Sequence, residues 1–287
     1  MPILSPFELP IELYHQSAPQ WLSKTSIMDF RDHGPAWWKL VYLDGAFTKE
    51  APGGAAQGSM LDCWLTEGED AFNARYVYVP ADAPKRPTSA QLKAKKPSPE
   101  TLDAIAYWAQ FGDRIPVMGE DAAILPEAVR AVKSLPDWKR LEMTRAQHTI
   151  RRVDTSMGIG LQSRPDWLEL NANAITFDLK KTRSLASFGK QAIDLGYHVQ
   201  ASIAGWCLSG DDYQQEQAFL VAVEWERGAR ARMYEIPSEA LADGFRMVTE
   251  TFLEIAGRLK SDDWTDRQQS PERLPIPEWM HRRMGAA

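Results

Sequence analysis

At 287 residues, with 44% hydrophobic and 25% charged residues, the chain has the composition of an ordinary globular protein and enough length to bury one substantial core. A net charge of −6 argues against a general nucleic-acid coat protein, although affinity for a phosphate backbone follows local basic surface rather than the total. Cys63 and Cys207 lie far apart with no Cys-x-x-Cys spacing, which speaks against structural zinc or an iron–sulfur cluster. Met1 to Glu12 is broken by prolines and carries no basic leader, and the longest apolar run, Ala218 to Val223, is far too short to span a bilayer. A cytoplasmic protein without a membrane partner is expected.

In chain order, Ser23 to Trp38 reads as a helix with Ser23 or Thr25 as its N-cap and Pro35 disturbing its end. Gly58 to Thr66 is a second, mostly apolar helix. Residues 80–99 are rich in proline and lysine and read as an exposed, mobile loop. Pro99 to Phe111 and Ala122 to Leu135 look helical; Gln147 to Arg164 and Asp166 to Lys180 supply strands. Ser184 to Leu208 is helical with a break near Gly196. Gln217 to Trp225 and Arg230 to Ile236 form a hairpin across Glu226-Arg227-Gly228-Ala229. Ser238 then caps a long helix with an apolar stripe at Leu241, Phe245, Val248, Phe252, Ile255 and Leu259, spaced to pack on the chain's own sheet rather than to sustain a coiled coil. Residues 264–287 read as an irregular tail. The whole suggests one α+β domain over 1–287 with a mixed central sheet.

The chemistry concentrates in Arg164-Pro165-Asp166 and Asp178-Leu179-Lys180. From Ala174 to Lys180 the strand alternates, so Ile175, Phe177 and Leu179 point one way while Thr176, Asp178 and Lys180 point the other. Asn171-Ala172-Asn173 supplies a turn, and strand pairing brings Asp166 back beside Asp178. Two carboxylates a few Å apart repel unless a cation sits between them. Magnesium accepts one or two carboxylates, keeps several waters and also binds phosphate oxygens. Lys180, on the same face, can orient an attacking water or neutralise charge on a reacting phosphate. An ordinary salt bridge between Asp178 and Lys180 on a surface hairpin fits the triplet as well.

Asp62 is surrounded in sequence by Met60, Leu61, Cys63, Trp64 and Leu65. A buried aspartate there demands a partner or a cation, whereas one on the helix's exposed line demands neither. Two basic clusters, Lys85, Arg86, Lys93, Lys95 and Lys96, and Lys139, Arg140, Arg145, Arg151 and Arg152, read as solvated faces or as phosphate-binding surface.

Set in order, these segments resemble the PD-(D/E)XK nucleases, and within them the nuclease domain of the exodeoxyribonuclease VIII (RecE-like) exonucleases. The likeness rests on Tyr14-His15 with Leu22-Ser23-Lys24-Thr25, on Gly58-Ser59-Met60-Leu61-Asp62-Cys63, on Lys85-Arg86-Pro87-Thr88 and on Arg164-Pro165-Asp166. It continues through Asp178-Leu179-Lys180-Lys181-Thr182, Tyr197-His198-Val199-Gln200-Ala201, and Asp263-Trp264 with Leu274-Pro275-Ile276-Pro277-Glu278-Trp279. The resemblance implies a central mixed sheet flanked by helices and a magnesium-dependent exonuclease, with manganese able to stand in. Such an enzyme digests one strand of linear duplex DNA, as a ring-shaped homo-oligomer, alongside a phage-type single-strand-annealing recombinase.

It further implies that Asp166, Asp178 and the carbonyl of Leu179 hold metal, with Asp62 in place of a metal-binding histidine, and that Lys180 is the catalytic lysine. Gln200 would arrange the site near DNA, with Tyr197, Arg164, Lys181, Thr182, Lys85 and Arg86 in supporting or DNA-binding positions. Two further departures stand out: Gln147 where the family carries a glutamate, and Ala204 where it carries a tyrosine. They motivate an alternative, a catalytically weak or inactive DNA-end-binding protein of the nuclease fold. A third reading is an endonuclease that uses the 80–99 loop for recognition.

Overall fold

A computed structural model of the chain describes residues 3–6, 8–16, 18–46, 55–171, 173–209 and 215–266. In chain order the elements are β1 (Ile3–Leu4), α1 (Ile11–His15), β2 (Trp21–Leu22), α2 (Lys24–Tyr42), α3 (Ala55–Asp62), a π-helical turn (Cys63–Glu67), α4 (Glu69–Arg75), β3 (Tyr76–Tyr78), α5 (Ser89–Leu92) and α6 (Pro99–Ala109). They continue with β4 (Ile115–Val117), α7 (Gly119–Lys133), α8 (Trp138–Glu142), β5 (Arg145–Ala146), β6 (Thr149–Asp154), β7 (Ile159–Ser163), β8 (Trp167–Leu170) and β9 (Ala174–Thr182). The last are α9 (Phe188–Asp194), α10 (Tyr197–Leu208), β10 (Gln215–Glu224), β11 (Ala231–Glu235) and α11 (Ser238–Ser261). Among the described residues no helix is long and apolar enough to cross a membrane.

The architecture is α+β, with mixed sheets and helices on both faces of the main one. The main sheet has the order β11-β10-β9-β8-β5, and a second sheet runs β1-β6-β7-β2. Strands β9 and β10 are parallel, as the intervening crossover through α9 and α10 requires, while β8–β9 and β10–β11 are antiparallel hairpins. The mixed central sheet expected from the sequence is present, with the four-stranded sheet beside it. The long ribbon of β5–β6 and β7–β8 bends between the two sheets at Gln147 on one side and Arg164-Pro165 on the other.

The alternation read in β9 is real, but its setting is not that of a surface hairpin. Flanked by β8 and β10, the strand is buried on both faces. Ile175 and Phe177 pack with Met60, Leu61, Phe72, Leu125 and Val129 from α3, α4 and α7. On the opposite face Thr176 and Asp178 are covered by α10. That helix is apolar almost all round, because it is wedged between the sheets on one side and α11 on the other. Burying side chains such as Phe177 and Val199 contributes about 1.5–3 kcal/mol each.

The stripe of α11 packs into the chain's own core, as expected. Val248, Phe252 and Ile255 join the cluster of Val199, Ile203 and Cys207 of α10 and Phe30 of α2, Leu241 packs against that of Ala218 and Leu220 of β10, and Phe245 stays exposed. The N-cap of α11 is Pro237, with Ser238 the first helical residue. At α2, Ser23 is the cap as read, and its N–H donates to Ser26 Oγ at 2.9 Å. The helix continues past Pro35 to Tyr42, with Gly34 at φ +84° absorbing the kink. The break near Gly196 separates α9 from α10. In the 80–99 segment most side chains are exposed and one short helix, α5, forms. Ala172 in the β8–β9 turn and the Leu274–Trp279 motif lie outside the described residues.

Candidate active site

The site is built where β9 leaves the core. Register pairs Trp167 with Phe177 and Leu168 with Thr176, which sets Asp166 across from Asp178 just beyond the hairpin's last pair. Asp166 Oδ2 accepts a hydrogen bond from the Leu179 N–H at 2.5 Å, so the carboxylate is fastened to the neighbouring strand. Asp178 is 4% exposed. Its Oδ1 accepts from Gln200 Nε2 at 2.6 Å and lies 3.5 Å from Lys180 Nζ. The two-residue step along the strand thus puts Lys180 on the same face as Asp178, beside the cleft, with its ammonium 4.9 Å over the ring of Tyr197.

Asp62 reaches the same place from the junction between α3 and the π-helical turn. The extra residue per turn of a π segment redirects the chain, and such turns recur at functional sites. Asp62, Asp166, Asp178, Leu179, Lys180, Lys181 and Gln200 all line one cleft of about 260 Å³. A second cleft, of about 420 Å³, adjoins it through Ser59, Asp62, Asp166 and Gln200 and is walled by Tyr14, His15 and Lys24.

Electrostatics identify what the cleft lacks. Burial pushes the Asp178 carboxyl up to about 6, against the pull of Lys180 and with a further push from Asp166. Burial also raises Asp166, opposed by Lys180 and by the Leu179 N–H. Asp62 is held well above the usual carboxylate range by burial and by the charges of Asp166 and Glu67. Lys180, in contrast, stays an ammonium: burial works against its charge, but Asp178 and Asp166 outweigh that and raise it. Three acids face Lys180, with Lys181 at the rim held by Gln57, and a cation among the carboxylates would relieve their mutual repulsion.

Among the described residues no three or more His, Cys, Asp or Glu side chains group closely enough to form a metal cage by themselves. The carboxylates at the cleft, those of Asp62, Asp166 and Asp178, offer hard oxygens, and Leu179 also lines it. That set suits a magnesium-type ion, which takes few protein ligands and keeps water, and does not suit a structural zinc.

The remaining candidates divide. Lys181 lines the cleft and donates to Gln57 Oε1 at 2.5 Å; Gln57 in turn donates to Asp121, which also accepts from Trp225 Nε1. Arg164 is 8% exposed, lines the second cleft, and spends its guanidinium on the backbone carbonyls of Gln147 (2.9 Å) and Leu9 (2.5 Å). Thr182 is buried and shares its hydroxyl with Gln191 and Ser184 at the start of the crossover. Lys85 and Arg86 do not line either cleft; both are exposed, and Arg86 lies 5.4 Å over the Trp108 ring. The second basic cluster is largely used internally: Arg140 pairs with Glu169, Arg151 stacks over Trp21, and Arg152 over Trp206. Ala204 is buried in the core and lines neither cleft.

Gln147 proves central. Its Nε2 donates to Asp62 Oδ1 at 2.8 Å and to Asp166 Oδ1 at 3.0 Å. Sequence reasoning marks only the charge it lacks, not this bridge. It also passes over Gln57, Asp121 and Trp225, because an acid in the first turn of a helix looks like an ordinary dipole partner.

No family model matches the chain, and no curated protein matches it. Among solved structures it is similar to the crystal structure of a protein from Eubacterium rectale described as "Putative exonuclease", with a TM-score of 0.61 over 95% of this chain and 97% of that one, at 15% identity. That likeness shows a shared α+β fold. Another solved structure reaches a TM-score of 0.29 at 18% identity over 71% of this chain and 87% of its own, too low to carry an argument.

Proposed function

We propose that this protein is a divalent-metal-dependent nuclease of the PD-(D/E)XK type, RecE-like in kind, acting on the ends of double-stranded DNA as an exonuclease. The observation that carries this reading is the convergence of Asp166, Asp178, Lys180 and Gln200 on one cleft. The fold shared with the Eubacterium rectale protein, described as "Putative exonuclease", supports it.

Asp166, Asp178 and the Leu179 carbonyl would hold the ion, with Asp62 beside them. A magnesium or manganese ion there would polarise the scissile phosphoryl group and acidify a water. The protein's own groups do the rest. Lys180 keeps its proton between two carboxylates and presents a positive charge to the phosphate as negative charge builds on it. Gln200 fixes the Asp178 carboxylate in one rotamer, and the Leu179 N–H fixes Asp166. Lys181, on the opposite strand face yet at the cleft's rim, would meet the DNA backbone on leaving Gln57. A single folded unit over the whole chain, a ring-shaped homo-oligomer enclosing duplex, and work beside a single-strand-annealing recombinase belong to the same proposal.

Digestion of 5′- and 3′-labelled linear duplex beside covalently closed circles, with and without magnesium, tests it. Release of nucleotides from one strand of linear DNA, only with the metal, is the expected result. Cutting of closed circles would make it an endonuclease, and cleavage without any divalent ion would overturn the reading. The second reading, a DNA-end-binding protein with weak or no chemistry, is favoured by the neutral Gln147 amide in an acidic site. Tight end binding with no cleavage under magnesium or manganese would establish it.

A further inference from the structure

Gln147 is held in an unusual way. Its backbone sits at φ +54°, a region that residues other than glycine enter only where their surroundings over-determine them. Two contacts do so. The Gln147 N–H donates to the Asp166 carbonyl at 3.0 Å, and the Gln147 carbonyl accepts from Arg164 Nε at 2.9 Å. Both partners belong to the Arg164-Pro165-Asp166 corner, so the backbone of residue 147 is clamped to the segment that carries Asp166. From that clamp the side chain reaches Asp62 and Asp166.

Its amide nitrogen has two hydrogens and directs them to two different carboxylates, Asp62 Oδ1 and Asp166 Oδ1. Turning the amide over would set Oε1 against both acidic oxygens, so the orientation is dictated by its neighbours. A place between two acids is where a cation would otherwise be drawn.

We propose that Gln147 is a positioning residue that stands in for a second cation. Its amide ties Asp62 to Asp166 and limits the cleft to one divalent ion on the Asp166–Asp178 side. This rests on the metal-dependent reading above. Glutamate at 147 would act in the opposite sense. It adds a negative charge between Asp62 and Asp166 and removes the donor that holds them together, so the three carboxylates draw in a second ion when divalent metal is supplied.

Titration of the full-length protein with Mn2+ alone, without DNA, tests this by reading free Mn2+ from its electron paramagnetic resonance signal. One ion per wild-type chain and two per Q147E chain is the expected result. The second-site affinity in Q147E should exceed that of the wild type by at least ~10-fold, the scale on which changes beside metal ligands act. Should Q147E fail to fold, as judged by circular dichroism, Q147A decides: it removes the donor without adding charge and should gain a second, weaker ion. Two ions in the wild type would overturn the inference while leaving the metal-dependent reading intact. So would a count that stays at one in Q147E, or in Q147A where that variant decides. No ion in the wild type would overturn both.

Discussion

Gln200 Nε2 lies 2.6 Å from Asp178 Oδ1, joining the first turns of α10 to the central strand β9. The two residues are 22 positions apart and are brought together by the crossover that makes β9 and β10 parallel. A buried carboxylate is thereby given a neutral donor that fixes its direction without cancelling its charge. The charge stays available to a cation, and the helix packing behind α10 becomes part of the site.

Replacing Gln200 with alanine should lower cleavage by ~10–100-fold with a rise in the magnesium concentration needed for half-maximal rate, as loss of an orienting contact to a metal-holding carboxylate does. Gln200→Glu should be worse, because it puts a second carboxylate against Asp178. Rates measured across a magnesium titration check both; an unchanged magnesium dependence in Gln200→Ala would mean that the amide does not orient Asp178.

Lys180→Ala should retain binding to linear duplex and lose at least ~2–3 orders of magnitude in rate, the scale of removing a charge aimed at the transition state. Gel-shift affinity and single-turnover cleavage, measured on the same preparation, separate the two effects. Wild-type rates in this variant would remove Lys180 from the chemistry.

Metal-free stability should fall as pH rises. Burial lifts the Asp178 carboxyl from the ordinary 3.8 to about 6, so the folded chain holds a proton that the unfolded chain releases. The contribution is fully present below pH 4 and is lost as pH climbs through about 6. At order of magnitude it amounts to about 2–3 kcal/mol at pH 7. Urea denaturation of chelator-treated protein at pH 4.5 and pH 7 reads it. Asp178→Asn should flatten that part of the slope, and added magnesium should stabilise the wild type at pH 7 far more than at pH 4.5.

Gly244→Ala should damage both stability and activity although it lies on α11, far in sequence from the cleft. A Cβ there would stand 2.5 Å from Ser202 Oγ and 2.8 Å from the His198 carbonyl oxygen, so α11 must back away from α10. Overpacking of this kind costs about 1–3 kcal/mol, and it shifts the helix that carries Gln200. Thermal denaturation and the cleavage rate should fall together; a variant as stable and active as the wild type would show that the helices accommodate the methyl freely.

Arg164→Lys keeps the charge but loses the planar fork that reaches two carbonyls at once. With the Leu9 and Gln147 carbonyls left short of donors, a loss of about 2–4 kcal/mol is expected from chemical denaturation. A change within 0.5 kcal/mol would make the arginine's contacts dispensable.

Much of this protein is written locally. The two-residue alternation of β9, the Gly196 break, the Ser23 cap and the long amphipathic α11 all come from patterns within a few residues, because strand and helix periods are properties of short segments. So does the placing of Lys180 beside Asp178, which needs only the strand's pleat. Whether those groups face water or the interior was beyond such patterns. Burial of β9 on both faces depends on β10 arriving in parallel and on α10 covering it, and that burial is what drives the Asp178 carboxyl upward.

The Asp62–Gln147 contact spans 85 positions, and the same glutamine also reaches Asp166. No periodicity links residues so far apart. Their meeting follows from a ribbon bending between two sheets, where Arg164 and Asp166 clamp a backbone at positive φ. Side-chain identity can announce which groups are able to bind a cation or donate a hydrogen bond. Only packing over the whole chain selects their partners, because the energy of a charge is set by what surrounds it.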